Sequence, residues 1–352
     1  MTCMTCTSSQ GSRGGPIGTS LRGACAPYRV STPSKRRQST HRCSASSDSS
    51  SSYSSSASSS SPSSATVTVT TLPRPAIPIE LIVTDVDGTL LNSSQELDES
   101  VLASIKNARA AGVPLMIATG KAVGPWTQRI LPALESTCPE IFLQGLFIRD
   151  QHGNTLYSNT LADDVLRHCI SLARKLGVAL VLYSSDRIIC EARDKHTDRL
   201  IFYGEPTPEA IGDVASYLDA PETALDIHKV IFMADDKRIQ ETVRPVVDVE
   251  LAAYNVALTS AIEGMVEVLP PGASKGRGVE YVLRDVLGVD PRAVMALGDG
   301  ENDVEMLELV GWGVAVGNAG AKAKVAADIV SEWSNDEGAV GKAIDEWVLG
   351  TS

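Results

Sequence analysis

Two carboxylates at the end of an apolar run constrain this chain more than any other feature. The run Leu81–Thr84 predicts a buried strand, and Asp85 and Asp87 follow it directly. Since strand side chains alternate between faces, positions i and i+2 point the same way, beyond the strand's carboxyl end. An Asx-type turn explains one aspartate, but not two followed by Gly-Thr. Two like charges this close favour a neutralising cation or a shared proton, and both serve phosphate chemistry.

A second acidic cluster lies near the other end of the chain. The run 293–297 predicts a strand, and Asp299, Glu301, Asn302 and Asp303 come just after it. Oxygen ligands at this density suit a hard cation such as magnesium, which takes one or two carboxylates and completes its shell with water and phosphate. The sequence therefore predicts a magnesium site and gives no indication of zinc.

Two further segments between these clusters are suited to phosphate. A predicted strand over 113–118 ends in Thr119-Gly120-Lys121, and Ser274-Lys275 opens a predicted helix. A strand that ends in Thr-Gly before a helix offers a hydroxyl, free backbone N–H groups and a positive helix terminus. Taken singly, Thr119 is more often a helix cap and Lys275 more often a solvated surface lysine. Their order along the chain, between the two acidic clusters, favours a phosphate site.

Together the four segments resemble the four motifs of the haloacid dehalogenase (HAD) superfamily, in particular its Cof-type class IIB phosphatase branch. The resemblance runs from about Leu81 to Trp347 and includes the closing segments 313–319 and 334–340. It implies an α/β fold: a Rossmann-like parallel-sheet HAD core with an inserted α+β cap domain of the class II (C2) type. Four motifs in the right order are far more specific than any one of them.

The resemblance also implies roles for individual residues. Asp85 would attack phosphorus to form an aspartyl-phosphate, and Asp87 would protonate the leaving group and then deprotonate water. Thr119, the Gly120 N–H and Lys275 would bind the phosphoryl oxygens.

The implied cofactor is Mg²⁺. The Asp85 carboxylate, the Asp87 backbone carbonyl and Asp299 would hold it, with Asn302 and Asp303 in or beside the coordination shell.

Two positions depart from the pattern of the branch. Lys121 stands where arginine is usual, and Gln144 where asparagine is usual. Lysine keeps the charge but not the planar fork of arginine, so the orientation of phosphate or substrate is expected to differ. Asp87 itself favours a phosphatase or phosphomutase, because haloalkanoate dehalogenases lack it and transport ATPases have threonine there.

The leading interpretation is a phosphatase of small phosphorylated metabolites, of the sugar phosphate, flavin or pyridoxal phosphate type. One alternative is a phosphohexomutase that uses the same intermediate. Another is a catalytically vestigial protein that binds a phosphometabolite as a regulator. Plant plastid relatives join a similar domain to a metal-dependent endoribonuclease domain, but this chain has no matching histidine cluster, and its five histidines are scattered. The oligomeric state is not indicated.

The first 70 residues differ sharply from the rest. They hold seven basic residues, one acidic residue and a serine tract over 44–64. This composition cannot bury a core, and without a long apolar segment it predicts a disordered organelle transit peptide rather than a secretory signal. The abundance of serine favours a chloroplast or other plastid over a mitochondrion, and the alternative is a phosphorylatable tail.

The remaining chain is strongly acidic and divides into three segments. Beyond position 70 there are 24 basic and 42 acidic residues, a net charge of −18, which argues against nucleic acid or an anionic membrane as the main partner. The predicted boundaries are 71–161 for the first part of the core, 162–264 for the cap and 265–352 for the second part of the core. Within the cap, the hairpin Tyr183–Arg193 is the best candidate for substrate contact. Cys138, Cys169 and Cys190 are predicted to be reduced thiols.

Overall fold

The computed structural model describes residues 74–220, 225–260 and 262–351. The predicted transit peptide, residues 1–70, lies outside the described residues.

The described residues contain strands of two to five residues. They are β1 (Leu81–Thr84), β2 (Leu115–Ile117), β3 (Glu140–Phe142), β4 (Phe147–Arg149), β5 (Thr155–Ser158), β6 (Ala179–Tyr183), β7 (Ile188–Cys190), β8 (Glu209–Ala210), β9 (Lys229–Met233), β10 (Ala257–Thr259), β11 (Met265–Leu269), β12 (Val294–Gly298), β13 (Trp312–Ala315) and β14 (Ile329–Val330).

Helices alternate with most of these strands. They are α1 (Glu99–Ala110), α2 (Pro125–Leu134), α3 (Asp163–Leu176), α4 (Arg199–Phe202), α5 (Val214–Asp219), α6 (Asp236–Arg238), α7 (Arg244–Glu250), α8 (Lys275–Tyr281), α9 (Val304–Leu309), α10 (Ala321–Ala326) and α11 (Ala339–Ala343). The π-helical segments Ile239–Val243, Val282–Leu287 and Ile344–Leu349 continue α6, α8 and α11.

The core is a five-stranded parallel sheet in the order β14-β13-β12-β1-β2. Strand β1, which lies between β12 and β2, is buried throughout, because Ile82 packs into one apolar cluster while Leu81 and Val83 pack into another on the opposite face. A sheet covered on both faces is what continuous apolar strands predict. The parallel-sheet α/β core is confirmed.

The register of this sheet brings the two acidic clusters together. Thr84 at the end of β1 pairs with Leu297 in β12 and with Ile117 in β2. Asp85 therefore follows its strand beside the start of the Asp299 loop, and the Asp85 N–H donates to the Leu297 carbonyl at 3.0 Å. Three of the four predicted motifs thus meet at the carboxyl edge of neighbouring strands, where α/β sheets bind ligands.

A six-stranded sheet in the order β10-β11-β9-β6-β7-β8 forms the cap. Alternation along β6 gives this sheet two apolar faces: Leu180 and Leu182 pack with the cap helices, and Val181 and Tyr183 pack toward the core cluster. Helix α3 covers the first face and ends at Gly177, whose φ of 60° suits glycine. The second face lies over the edge of the core sheet that carries the acidic clusters.

The predicted boundary of the cap at 264 is wrong. Strand β11 (Met265–Leu269) pairs antiparallel with β9 and β10, so the inserted domain extends to Leu269. The core resumes only after Pro270. A buried run of five residues has the same pattern in a parallel and an antiparallel sheet, which is why the sequence could not assign it.

Gly212, with a φ of 77°, separates the short strand β8 from helix α5. Helix α8 begins at Lys275, as predicted, and the Ser274 hydroxyl accepts the Arg277 N–H at 3.1 Å. Lys275 therefore lies in the first turn of α8.

The three cysteines of the described residues, Cys138, Cys169 and Cys190, are buried and free, as predicted. Burial raises the pKa of the Cys169 thiol to about 12. Within the same residues, no helix combines the length and apolar character needed to cross a bilayer.

Candidate active site

A buried lysine joins two of the predicted site residues. Lys275 Nζ lies 2.5 Å from Asp85 Oδ1 and 2.7 Å from Asp303 Oδ1, and its side chain is 1% exposed. Burial alone would lower the pKa of Lys275, but Asp303 and Asp85 together raise it, so the ammonium stays charged. Lys275 is therefore a fixed positive charge beside Asp85 and not a solvated surface lysine.

Asp303 has a second task in the same loop. Its Oδ2 atom accepts the backbone N–H groups of Asp299 and Gly300, each at 2.9 Å. One carboxylate thus holds the lysine and shapes the turn that presents Asp299. Asp303 is fully buried, so substitution would disturb both the charge and the backbone of the loop.

Three carboxylates converge at a possible cation site. One oxygen from each of Asp85, Asp299 and Asp303 lies within 4.8 Å of the others. Burial raises the pKa of Asp85 well above its usual range against the opposing pull of Lys275, and burial followed by Asp303 raises that of Asp299 to about 6. Three carboxylates crowded around one ammonium thus resist full ionisation, and a divalent cation would favour their charged forms. Hard oxygen donors fit magnesium.

The turn after β1 is built to admit Asp299. Gly88 has a φ of 74°, and a Cβ atom there would lie 2.5 Å from Asp299 Oδ2. The Thr89 hydroxyl donates to Asp299 Oδ1 at 3.2 Å. The Gly-Thr pair after the two aspartates therefore makes room for Asp299 and orients it.

Asp87 faces a different cation. Lys121 Nζ lies 2.7 Å from Asp87 Oδ1, and the same ammonium donates to Gln95 Oε1 at 3.0 Å. It also lies 5.2 Å from the centre of the Trp126 ring, within cation–π range. Lys121, which the sequence singled out as a departure, is thus held on three sides and contacts the predicted general acid.

Thr119 and Gly120 lie beside this pair. Thr119 is fully buried, and its hydroxyl accepts the Lys121 N–H at 3.1 Å. Gly120 lines the cavity that also contains Asp85 and Asp87. The geometry gives Thr119 a role in shaping the loop, and its contact with phosphate stays a prediction.

A chain of buried polar groups connects Asn302 to the cap. Asn302 Nδ2 donates to Gln144 Oε1 at 3.1 Å, and Gln144 Nε2 lies 3.4 Å from both carboxylate oxygens of Glu267. Glu267 pairs with Lys229 at 2.7 Å, and Lys229 Nζ donates to the Gly120 carbonyl at 2.8 Å. These hydrogen bonds join core and cap beside the site.

Gln144 is held in an unusual backbone conformation. Leu143, Gln144 and Gly145 have φ values of 52°, 60° and 84°. Left-handed conformations at two consecutive non-glycine residues cost energy and cluster at functional sites. The strain here aims the Gln144 side chain at Asn302 and Glu267.

The cap adds a carboxylate that the sequence did not predict. Glu205 is 5% exposed, its Oε1 lies 3.4 Å from the Tyr183 hydroxyl, and its Oε2 accepts the Ala122 N–H at 3.0 Å. Burial raises the pKa of Glu205 to about 7, against Lys229 and Lys121. Of the predicted hairpin Tyr183–Arg193, only Tyr183 lines the cavity, and Arg187 pairs with Glu209 elsewhere.

The enclosed space between core and cap is small. Asp85, Asp87, Lys275 and Asp299 line a cavity of about 50 Å³ together with Glu205 and other residues of the cap. Pockets that hold small ligands usually measure about 300–1,000 Å³, so this cavity is small for a substrate site. The structure therefore shows the cap closed over the core.

The haloacid dehalogenase-like hydrolase family matches residues 82–344. The chain belongs to this family. The match includes every predicted site residue and the whole inserted cap.

Individual relatives agree with that assignment. The chain is 36% identical over 273 residues to a protein named "Endoribonuclease YBEY, chloroplastic" from Arabidopsis thaliana. The matched region covers 75% of this chain and 45% of that protein. The chain therefore spans less than half the length of that relative. It is 29% identical over 274 residues to "Putative phosphatase YxeH" of Bacillus subtilis, with 77% of this chain and 98% of that protein covered.

Solved structures show the same fold. A putative HAD/COF-like hydrolase from Plasmodium vivax superposes with a TM-score of 0.70 at 24% identity, covering 79% of this chain and 98% of the other. The HAD fold, which the four motifs predicted, is thereby confirmed.

Proposed function

We propose that this protein is a magnesium-dependent phosphatase that hydrolyses small phosphorylated metabolites through an aspartyl-phosphate on Asp85. The observation that carries this proposal is the position of Asp85, with Lys275 Nζ at 2.5 Å and the Asp299 and Asp303 carboxylates within 4.8 Å. A phosphate monoester dianion repels an anionic nucleophile, so the site must supply positive charge first. The relative in Bacillus subtilis named as a putative phosphatase supports the same reaction class.

In the proposed first step an Asp85 carboxylate oxygen attacks phosphorus, and the bond from phosphorus to the ester oxygen breaks. Lys275 keeps Asp85 in place and offsets charge on the phosphoryl oxygens. Asp87 gives a proton to the departing alkoxide. Thr119 and the Gly120 N–H are the candidates for holding the remaining phosphoryl oxygens.

In the second step water hydrolyses the aspartyl-phosphate. Asp87, now a carboxylate, takes a proton from the attacking water, which restores both aspartates and releases inorganic phosphate. Lys121, 2.7 Å from Asp87, fixes the direction in which that carboxyl group points. The same residue thus serves as acid and as base at one position.

The donor set fits Mg²⁺. Asp85 and Asp299 with the Asp87 backbone carbonyl are the proposed ligands, with Asn302 and Asp303 in or beside the shell. The ion would neutralise charge on the phosphate and on the surrounding carboxylates.

Substrates of the proposed reaction are small phosphate esters of the sugar, flavin or pyridoxal type. The cavity of about 50 Å³ holds none of them, so binding requires the cap to move away from the core. The same argument gives the cap its proposed part in selecting the leaving group.

We also propose that the protein acts in a chloroplast or other plastid. The support is the serine-rich, basic composition of residues 1–70 and the word "chloroplastic" in the name of the relative from Arabidopsis thaliana. Import of a fluorescent protein fused behind residues 1–70 into isolated plastids tests this, and exclusion from plastids contradicts it.

The test of the reaction is phosphate release from a panel of phosphorylated metabolites with and without Mg²⁺. Asp85→Asn should lower turnover by at least ~10³-fold, because an amide of the same shape is no nucleophile. Asp285→Asn, at an exposed position of the segment after α8, is the matched control and should retain full activity. Retention of more than about a tenth of the activity by Asp85→Asn contradicts the mechanism.

A further inference from the structure

A carboxylate of the cap faces the cavity without a cation of its own. We infer that Glu205 selects the leaving group, by accepting a hydrogen bond from an ammonium or hydroxyl group of the substrate. The inference rests on the proposed phosphatase function and adds a substrate class to it. The favoured substrates are phosphate esters of amino-bearing alcohols, followed by neutral polyols, and esters with a second anionic group are rejected.

The loop that carries Glu205 is fastened to the core. The Gly204 carbonyl accepts the Trp126 N–H at 3.2 Å, and Glu205 Oε2 accepts the Ala122 N–H at 3.0 Å. Ala122 comes directly after Lys121, so the contact lies beside the predicted phosphate-binding segment Thr119-Gly120-Lys121. Glu205 therefore occupies a defined place in the closed site and is not a mobile surface side chain.

The lysines around Glu205 already form ion pairs with other carboxylates. Lys229 Nζ pairs with Glu267 at 2.7 Å, and Lys121 Nζ pairs with Asp87 at 2.7 Å. Among the described residues, no lysine, arginine or histidine lies within ion-pair distance of Glu205. A buried carboxylate without its own cation is costly, and an ammonium supplied by the substrate would relieve that cost.

The rest of the cavity wall limits what can accompany that ammonium. The other cap residues that line the cavity are apolar or aromatic, namely Tyr183, Leu200, Tyr203, Ile231, Ile262 and Met265, apart from the charged pair Lys229 and Glu267. Such a surface accommodates a compact carbon skeleton with its polar groups directed at one side. A second carboxylate or phosphate on the substrate would meet Glu205 and Glu267 with both lysines already paired, so it would be repelled.

Three phosphate esters of six-carbon sugars or sugar acids test the inference. Apart from the phosphate, glucosamine 6-phosphate carries an ammonium, glucose 6-phosphate carries no charge and 6-phosphogluconate carries a carboxylate. Wild type should show kcat/KM falling in that order. Glu205→Gln should reduce the preference for the amine over the neutral ester by roughly 10- to 100-fold, the contribution of a hydrogen bond to a charged group. Glu241→Gln, at an exposed glutamate of the cap, is the matched control and should leave all three ratios unchanged.

Hydrolysis of p-nitrophenyl phosphate, which has no donor for Glu205, separates this inference from the proposed function. Normal hydrolysis of that ester by Glu205→Gln, with the amine preference lost, supports the inference. A preference for the amine that survives Glu205→Gln overturns it, as does a wild type that prefers the anionic ester.

Calorimetry gives an independent readout of binding, with hydrolysis blocked by Asp85→Asn. Binding of the same three esters to the Asp85→Asn variant is compared with their binding to the double variant Asp85→Asn/Glu205→Gln. If wild type releases no phosphate from any ester but the amine still binds best and only while Glu205 is present, the phosphatase proposal fails and the role of Glu205 stands. Equal binding of the three esters overturns the role of Glu205.

Discussion

The ammonium of Lys121 and the carboxylate of Asp87 form an ion pair, with Nζ 2.7 Å from Oδ1, at the boundary between core and cap. The lysine side chain is 4% exposed, so the pair is shielded on the lysine side and open to the cavity on the aspartate side. A pair arranged in this way fixes a carboxyl group while leaving it accessible. A carboxylate held in this way is oriented to accept a proton from water in the proposed second step.

The first prediction concerns this pair. Lys121→Met should lower kcat for an alkyl phosphate by about 10- to 100-fold, because Asp87 loses the group that orients it. The loss should be smaller with p-nitrophenyl phosphate, whose leaving group needs little protonation. Lys121→Arg keeps the charge and is the matched control, with a loss below about 10-fold. Equal losses on both substrates would show that Lys121 serves binding or folding instead.

The second prediction concerns removal of the metal. Chelation with EDTA should abolish phosphate release, and Mg²⁺ should restore it. A cation that neutralises Asp85 and Asp299 should also raise the free energy of unfolding, by about 2.7 kcal/mol at a concentration 100 times its dissociation constant. Thermal unfolding with and without Mg²⁺ measures this, and Asp299→Asn should abolish the difference. Full activity of the metal-free protein would exclude a metal role for Asp299.

The third prediction concerns the buried pair Lys229–Glu267, whose side chains are 2% and 4% exposed. Lys229→Met should lower the free energy of unfolding by about 3–5 kcal/mol, because it leaves Glu267 buried without a cation. The double variant Lys229→Met/Glu267→Leu should recover most of that loss. Chemical denaturation provides the measurement. A double variant as unstable as the single one would show that Lys229 acts through its bond to Gly120 and not through the ion pair.

The fourth prediction concerns the amino-terminal 70 residues. A chain that begins at Thr71 should fold and turn over substrate within about 2-fold of the full chain, since so few apolar residues cannot offset the entropy of ordering. Circular dichroism and phosphate release check this. An insoluble or inactive truncated chain would contradict the interpretation of the segment as a transit peptide.

The sequence predicted the core of the site because parallel strands bring their carboxyl ends to one edge. Asp85 and Asp299 are more than 200 positions apart, yet each follows an apolar strand, and pairing of Thr84 with Leu297 places them together. Local pattern and sheet topology therefore agree at this edge. Each strand is recognised from its own apolar residues, so this part of the site can be predicted without knowledge of long-range side-chain contacts.

The cap contribution to the site could not be predicted in the same way. Glu205 lies in a loop with no periodic pattern, and the position of that loop depends on long-range hydrogen bonds from Ala122 to Glu205 and from Trp126 to Gly204. A weak signal did exist elsewhere, because Lys229 and Glu267 are each the single charged residue of a five-residue apolar strand. A lone charge in such a run indicates a buried partner, but not which one.

The cavity of about 50 Å³ has a practical consequence for crystallography. A lattice that trapped this conformation would let water and magnesium ions diffuse to Asp85 and would keep a hexose phosphate out. Soaking would then yield ion complexes only. Crystals that contain a substrate analogue would have to be grown with the analogue already present, before the lattice fixes the cap.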